Sequence, residues 1–180
     1  MKKQSEDSTL NSRRIADYVT ENRESHYRLA YSYVKNPDDA LDVIQESVCK
    51  AIHGAHTLKS PEFIKTWFYR IVINTALDLL RKQKKLVLAD DEAFETLHAV
   101  VDDPMEDYDL HQALERLPGH YRTVVVLRYF EDLPLNDIAE VTGLPLSTVK
   151  TRLYKSLKML RLELESELDS DKKGGNTYGS

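Results

Sequence analysis

A chain of 180 residues with 41% apolar and 31% charged residues, but only 6 Gly and 6 Pro, has the composition of a soluble, helix-rich globular protein and not of a disordered one. The single cysteine, Cys49, excludes an internal disulfide and fits a reducing, cytoplasmic compartment. Apolar runs such as Val124 to Leu127 fall far short of the ~20 residues of a membrane-spanning helix, and the opening MKKQSEDSTLNSRR lacks the apolar centre of a secretion signal.

The first ~85 residues read as helices. Residues 18–35 carry Val19, Tyr27, Ala30, Tyr31 and Val34 at a loose helical period, and Asn36-Pro37 stops the element. Asp38-Asp39 opens the next helix, in which Ala40, Val43, Ile44, Val48, Ala51 and Ile52 share a face before Gly54. GAHTLKSPEF is too polar and too marked by Pro and Gly to be regular. A third long helix is predicted over 66–84, with Trp67, Ile71, Leu77 and Leu80 inward and a basic C-terminal end that suits the helix dipole.

Residues 86–108 break the pattern. A connection of that length without its own structure is improbable inside one compact domain, so it reads as an acidic, flexible linker between two. The formal net charge of -5 argues against generic nucleic-acid binding, but the charges are segregated. Acids crowd into DDEAFE and DDPMEDYD, and bases into RKQKK and the last helix. Surface fields are screened over ~8–10 Å, so each cluster acts locally.

After the linker, LHQALERL and HYRTVVVLRYFED read as helices, the second despite its β-branched run. LNDIAEVTGLPLSTVKTRLYKSL then supplies a short helix burying Leu135, Ile138 and Ala139, a turn at Gly143, and a long helix burying Val149, Leu153 and Leu157 at i, i+4, i+8. After Glu140 and as far as Arg161 this stretch has no acid. That is the requirement of a helix-turn-helix: one face holds the helix on its domain while Lys150, Thr151, Arg152, Tyr154 and Lys155 remain free to enter the major groove. Ser147 or Thr148, at the helix start, can offer a hydroxyl and backbone N–H groups to a phosphate. Arg152 is the candidate for bidentate guanine contact, and Lys150 or Lys155 for base edge or phosphate. The tail DSDKKGGNTYGS, within residues 168–180, reads as disordered.

Three stretches together resemble the extracytoplasmic-function group of bacterial RNA polymerase sigma factors, within the sigma-70 family. NPDDALDVIQESVCKAI is similar to the family's core-binding helix, KTWFYRIVINTALDLLRKQKK to its minus-10 helix, and LERLPGHYRTVVVLRYFEDLPLNDIAEVTGLPLSTVKTRLYKSLKMLR to its minus-35 domain. The resemblance covers about residues 15–165. It implies an all-α fold of two small helical domains: a region 2 bundle over 12–85 and a region 4 helix-turn-helix domain over 109–167, joined by the linker 86–108.

It also implies roles. Asp39, Asp42, Gln45 and Glu46 would meet the basic clamp helices of core RNA polymerase, where complementary charge orients docking. Lys59, Ser60, Phe63 and Lys65 would line a pocket for an unstacked minus-10 base, Thr66, Arg70 and Asn74 would contact bases or backbone, and Arg81 and Lys82 the upstream phosphates. Ser147 stands where the family often has glycine and Lys150 where it often has arginine, which bears on base preference. The implied partners are core polymerase, promoter DNA and a membrane-anchored anti-sigma factor, in the service of a cell-envelope stress regulon. No small-molecule substrate, cofactor, metal or catalytic residue is expected: there is no phosphate-binding loop, dinucleotide fingerprint or nucleophile elbow.

Three rivals remain open at this level. A response-regulator-type transcription factor has a similar helix-turn-helix but needs an alternating strand pattern in front, which is missing. Cys49, His53 and His56, at i, i+4 and i+7, could share a helical face and hold zinc. An adaptor that binds polymerase without DNA would not need Arg152 or Lys155.

Overall fold

The computed structural model describes residues 2–89 and 108–174, as two bundles of four α-helices each. The first comprises α1 (Lys2–Glu21), α2 (Arg23–Val34), α3 (Pro37–His53) and α4 (Ile64–Ala89). The second comprises α5 (Tyr108–Arg116), α6 (Gly119–Val125), α7 (Leu135–Thr142) and α8 (Leu146–Gly174). The described residues contain no strand.

The helix between residues 18 and 35 is divided. Asn22 leaves helical geometry at φ −115° and ψ 25°, so α1 ends and α2 starts anew, while the Tyr18 carbonyl accepts from both the Asn22 side chain at 2.9 Å and its backbone N–H at 3.1 Å. The start of α3 follows the expected chemistry: the Asn36 side chain accepts from the Asp39 N–H at 3.0 Å, Pro37 occupies the first turn, and Asp38 and Asp39 face the positive end of the dipole. Its buried line is Ala40, Val43, Ser47 and Ala51, while Ile52 is exposed. α3 ends at His53, so His56 lies in a separate turn and the three candidate zinc ligands share no helical face.

In α4 the buried residues are Phe68, Tyr69, Val72, Ile73 and Ala76, in place of the expected Trp67, Ile71, Leu77 and Leu80, which are only half-buried. The helix is covered on more than one side: α2 and α3 pack against it within the bundle, and α7 of the other bundle lies across it. His26, fully buried, sits edge-on to Phe68 at 4.7 Å and to Tyr69 at 5.7 Å. Burial pushes its imidazole down to about 4, so it is neutral in the core near neutral pH.

The helix that carries the VVV run is real, and it ends in a π-helical turn at Val126–Phe130, closed by Glu131 N–H to the Val126 carbonyl at 3.0 Å. A π turn adds one residue to the helical phase. It swings Glu131 and Leu133 inward, both 3% exposed. One apolar core runs through both bundles, from Ile15 and Leu29 to Leu127, Ile138 and Val149. A smaller cluster of Ala113, Leu114, Leu117, Val125 and Leu160 fixes α5 and α8.

Two expectations about the ends of elements are corrected. α4 continues to Ala89 and α8 to Gly174, so the linker and tail cannot start at 86 and 168 as non-helical chain. LVLA and the Glu-, Leu- and Lys-containing ELDSDKK are good enough helix formers to prolong helices already nucleated upstream. Residues 90–107 and 175–180 lie outside the described ones. Leu157 is 40% exposed and not buried as its spacing suggested, because the inward line of α8 runs through Val149, Ser156 and Leu160 instead.

Gly143 closes α7 with φ +68°, and its N–H caps the last turn. An added Cβ would meet nothing within 4 Å, so only backbone strain opposes a side chain here. Gly143→Ala is therefore expected to lower stability by about 1–2 kcal/mol, read as a lower denaturant midpoint at unchanged slope.

Candidate nucleic-acid interface

The turn at Gly143 sets α7 against α8 with Ile138, Val141 and Val149 locked between them. Ser156, also buried, lies where α8 meets α6, its hydroxyl 2.6 Å from the Arg152 carbonyl of its own helix and 3.1 Å from the Tyr121 carbonyl. With that face fixed, the start of α8 opens a shallow cleft lined by Ser147, Thr148, Thr151, Arg152 and Lys155. Lys150 and Tyr154 are exposed beside it, Tyr154 at 75%. Thr151 spends its hydroxyl on the Ser147 carbonyl at 2.9 Å, which leaves its methyl outward. His120 and Tyr121 of α6, with rings 4.2 Å apart, complete the cleft. Sequence reasoning missed this pair; its one available signal was an aromatic doublet directly after the Pro118-Gly119 turn.

The minus-10 candidates lie on the turn before α4 and along α4. Thr66, Arg70 and Asn74 follow one another at i, i+4, i+8 along α4, and Arg70 and Asn74 are exposed. Phe63 projects at 56% exposure from the short turn before the helix, with Lys59 exposed near it. Ser60 donates to Glu62 at 3.0 Å and Thr66 to the Phe63 carbonyl at 3.2 Å, bonds that stiffen this loop. Trp67 is half-buried and donates its indole N–H to Thr57 at 3.2 Å, which fits a packing role. Lys65 points elsewhere, to the Glu131 carbonyl of the second bundle at 2.6 Å.

The acidic face of α3 and the basic end of α4 are brought together. Asp42 and Glu46 share a groove with Arg81, Lys82 and Lys85, Asp39 accepts from Gln83 at 2.9 Å, and Gln45 is exposed. Two local ion pairs, Arg81 to Asp78 at 2.8 Å and Lys50 to Glu46 at 3.6 Å, join exposed side chains and add little stability. Among the described residues there is no group of acids, histidines and cysteine able to hold a metal ion, and no helix long and apolar enough to cross a membrane.

Two helical bundles, one with an acid-lined helix beside a basic one and the other with a basic helix-turn-helix, define a DNA-binding protein built to engage a second macromolecule. Residues 18–86 match the model of sigma-70 region 2, and residues 108–160 that of sigma-70 region 4. The chain is 52% identical over 149 residues to RNA polymerase sigma factor SigV of Bacillus subtilis, covering 83% of this chain and 90% of that one. It is 31% identical over 165 residues to ECF RNA polymerase sigma factor SigW of the same organism, covering 83% and 88%. It belongs to the sigma-70 family, in the extracytoplasmic-function group.

Two solved structures share the fold. Sigma factor RpoE in complex with anti-sigma factor NepR, from Bartonella quintana, superposes with a TM-score of 0.68 at 22% identity, covering 83% of this chain and 97% of that one. CnrH in complex with the cytosolic domain of CnrY gives 0.60 at 23% identity, covering 93% and 96%.

Proposed function

We propose that this protein binds core RNA polymerase in the cytoplasm and directs it to promoters by reading a minus-35 element with α8 and a minus-10 element with the Phe63 turn and α4. The observation that carries this reading is the acid-free, exposed face of α8, with Lys150, Arg152 and Lys155 beside the Ser147 and Thr148 hydroxyls at the helix N-terminus. The cleft supports Arg152 as base reader, with Ser147, Thr148, Thr151, Tyr154 and Lys155 positioning the duplex.

Phe63 and Lys59 offer a π face and a charge to an unstacked base, while Thr66, Arg70 and Asn74 continue along the strand and Arg81 and Lys82 meet phosphate. Asp39, Asp42, Gln45 and Glu46 meet the polymerase clamp. The chain itself is not an enzyme: strand opening uses binding energy alone, no cofactor or small molecule takes part, and RNA synthesis belongs to the core. Its physiological partner is an anti-sigma factor anchored in the membrane, consistent with the complexes in which its fold relatives were solved, and its regulon answers cell-envelope stress.

Run-off transcription from a genomic fragment library, with core polymerase in the presence and absence of this protein, tests the reading. New transcript starts that share two spaced upstream elements are expected. Active core that yields no new starts with folded protein would exclude the sigma role.

A further inference from the structure

The turn that carries Lys59, Ser60 and Phe63 is tied at both ends, and the two ties differ. Forward, the Phe63 carbonyl accepts from Thr66 of α4 at 3.2 Å, and the Phe63 N–H donates to the Ser60 carbonyl at 3.1 Å. Both bonds are local and form with the start of α4. Backward, the chain leaves the short turn Ala55–Thr57 at Leu58, whose ψ of 105° is extended. That step takes the Leu58 carbonyl out of any helical ladder, while the Leu58 side chain enters the core at 4% exposure. A carbonyl held this close to the core needs a donor.

The donor comes from 47 positions away. Asn11, half-buried on α1, directs its Nδ2 to the Leu58 carbonyl at 3.3 Å and to the Ala55 carbonyl at 3.2 Å. A carboxamide nitrogen carries two hydrogens, so one side chain satisfies both carbonyls at once. The Ala55 carbonyl also accepts from the Leu58 N–H at 3.3 Å, which closes the base of the turn. α1 is seated firmly enough to hold it: Ile15, one turn further on, is fully buried, and α1 lies along both α3 and the Ala55–Thr57 turn. On the far side of that turn the Trp67 indole donates to Thr57 at 3.2 Å, and Thr57 donates to the Gly54 carbonyl at 2.7 Å. Trp67 thus holds the front of the base to α4, and Asn11 holds from α1 the step at Leu58 where the chain heads for its exposed tip.

We propose that Asn11 is a positioning residue for minus-10 reading: from α1 it clamps the Ala55 and Leu58 carbonyls and so fixes, before DNA arrives, the angle at which the Lys59–Phe63 turn presents its aromatic face and its charge. The inference rests on the promoter-recognition reading above. Phe63 is 56% exposed and Lys59 is exposed, so neither is aimed by packing of its own, and both inherit their direction from the base of the turn. Capture of an unstacked base loses affinity when the groups that receive it must first be ordered, and a turn already ordered by folding removes that cost from the binding step. Asn11 touches no DNA in this role and acts through Leu58.

Asn11→Asp keeps the size of the side chain and replaces the donor with an oxygen that repels both carbonyls. Asn11→Ala removes the donor without adding charge, and carries the test where the first variant does not fold. In the free full-length protein, hydrogen exchange at the Leu58 and Phe63 amides is expected to speed about tenfold, the scale of the one or two hydrogen bonds removed, with the amides of α4 unchanged. Holoenzyme assembled with core polymerase is expected to lose about tenfold of its discrimination between a promoter fork and the same fork with one minus-10 base changed, while discrimination at minus-35 bases stays as in wild type. A mere loss of folded protein lowers binding to both forks together and leaves that ratio alone. Thr20→Ala, which removes a 2.8 Å bond to the Ala16 carbonyl within α1 itself, is the matched control and should move neither reading. Unchanged exchange at the turn overturns the clamp, and faster exchange with an unchanged minus-10 ratio overturns the positioning role. The same effects from Thr20→Ala would trace them to α1 as a whole and overturn Asn11 as their source. The exchange arm needs no polymerase, so a wild-type holoenzyme without minus-10 preference overturns the promoter-recognition reading and the positioning role resting on it, not the clamp.

Discussion

Phe68→Ala is expected to cost about 3–5 kcal/mol of stability, since truncating a fully buried aromatic removes its transfer free energy and leaves a cavity. Little collapse is available around it. Phe68 is wedged against His26 at 4.7 Å and Tyr18 at 6.2 Å, and both are held by α1 and α2. Against the 5–15 kcal/mol typical of whole domains, this is a fifth or more of the total. The same helix carries Thr66, Arg70 and Asn74, so the minus-10 surface should loosen with the core. Urea unfolding followed by circular dichroism checks the figure, and a loss below about 1 kcal/mol would mean that Phe68 is not packed as described.

Arg152→Ala is expected to weaken promoter-specific binding by about 1–3 kcal/mol and to relax preference at one base pair of the minus-35 element, as removal of a bidentate base contact should. Lys158→Ala, one exposed turn further along α8, is the contrast: it should lower affinity on all sequences and reduce the salt slope by about 1. Binding to a set of single-base variants at two salt concentrations separates the two behaviours. Equal loss on every sequence with Arg152→Ala would make it a phosphate contact and return base reading to Lys150 or Lys155.

The elements legible in the sequence were those fixed by local chemistry. Asn36-Pro37-Asp38-Asp39 carries the whole start signal of α3, and Gly143 the turn of the helix-turn-helix, because caps and left-handed turns are decided within four residues. What escaped depended on distant partners. The buried line of α4 includes Tyr69 because Glu131 waits for it 62 positions away, and no periodicity within α4 announces that. Leu157 fits the apolar stripe of α8 yet has nothing to cover it there. The break at Asn22 is local, but one residue leaving helical dihedrals leaves no mark on the apolar period.

The two bundles were expected as separate bodies on a linker, and their chemistry does divide that way. Their contact at Glu131 was hidden because its donors, Arg28 and Lys65, are residue types that usually face water. A buried glutamate reads as an ordinary surface acid until its partners are known.

The distance along the chain between Tyr69 and Glu131 also sets an order of events during synthesis. Within each bundle most contacts are between neighbouring helices, which form in microseconds to milliseconds. The first bundle is complete only at Ala89, and the 42 positions from there to Glu131 take about 2–8 s to translate at 5–20 residues per second. For those seconds the first bundle stands folded with Arg28, Lys65 and Tyr69 uncovered. The first bundle is born without its partner, and the Glu131 contact forms only once the ribosome has delivered residue 131.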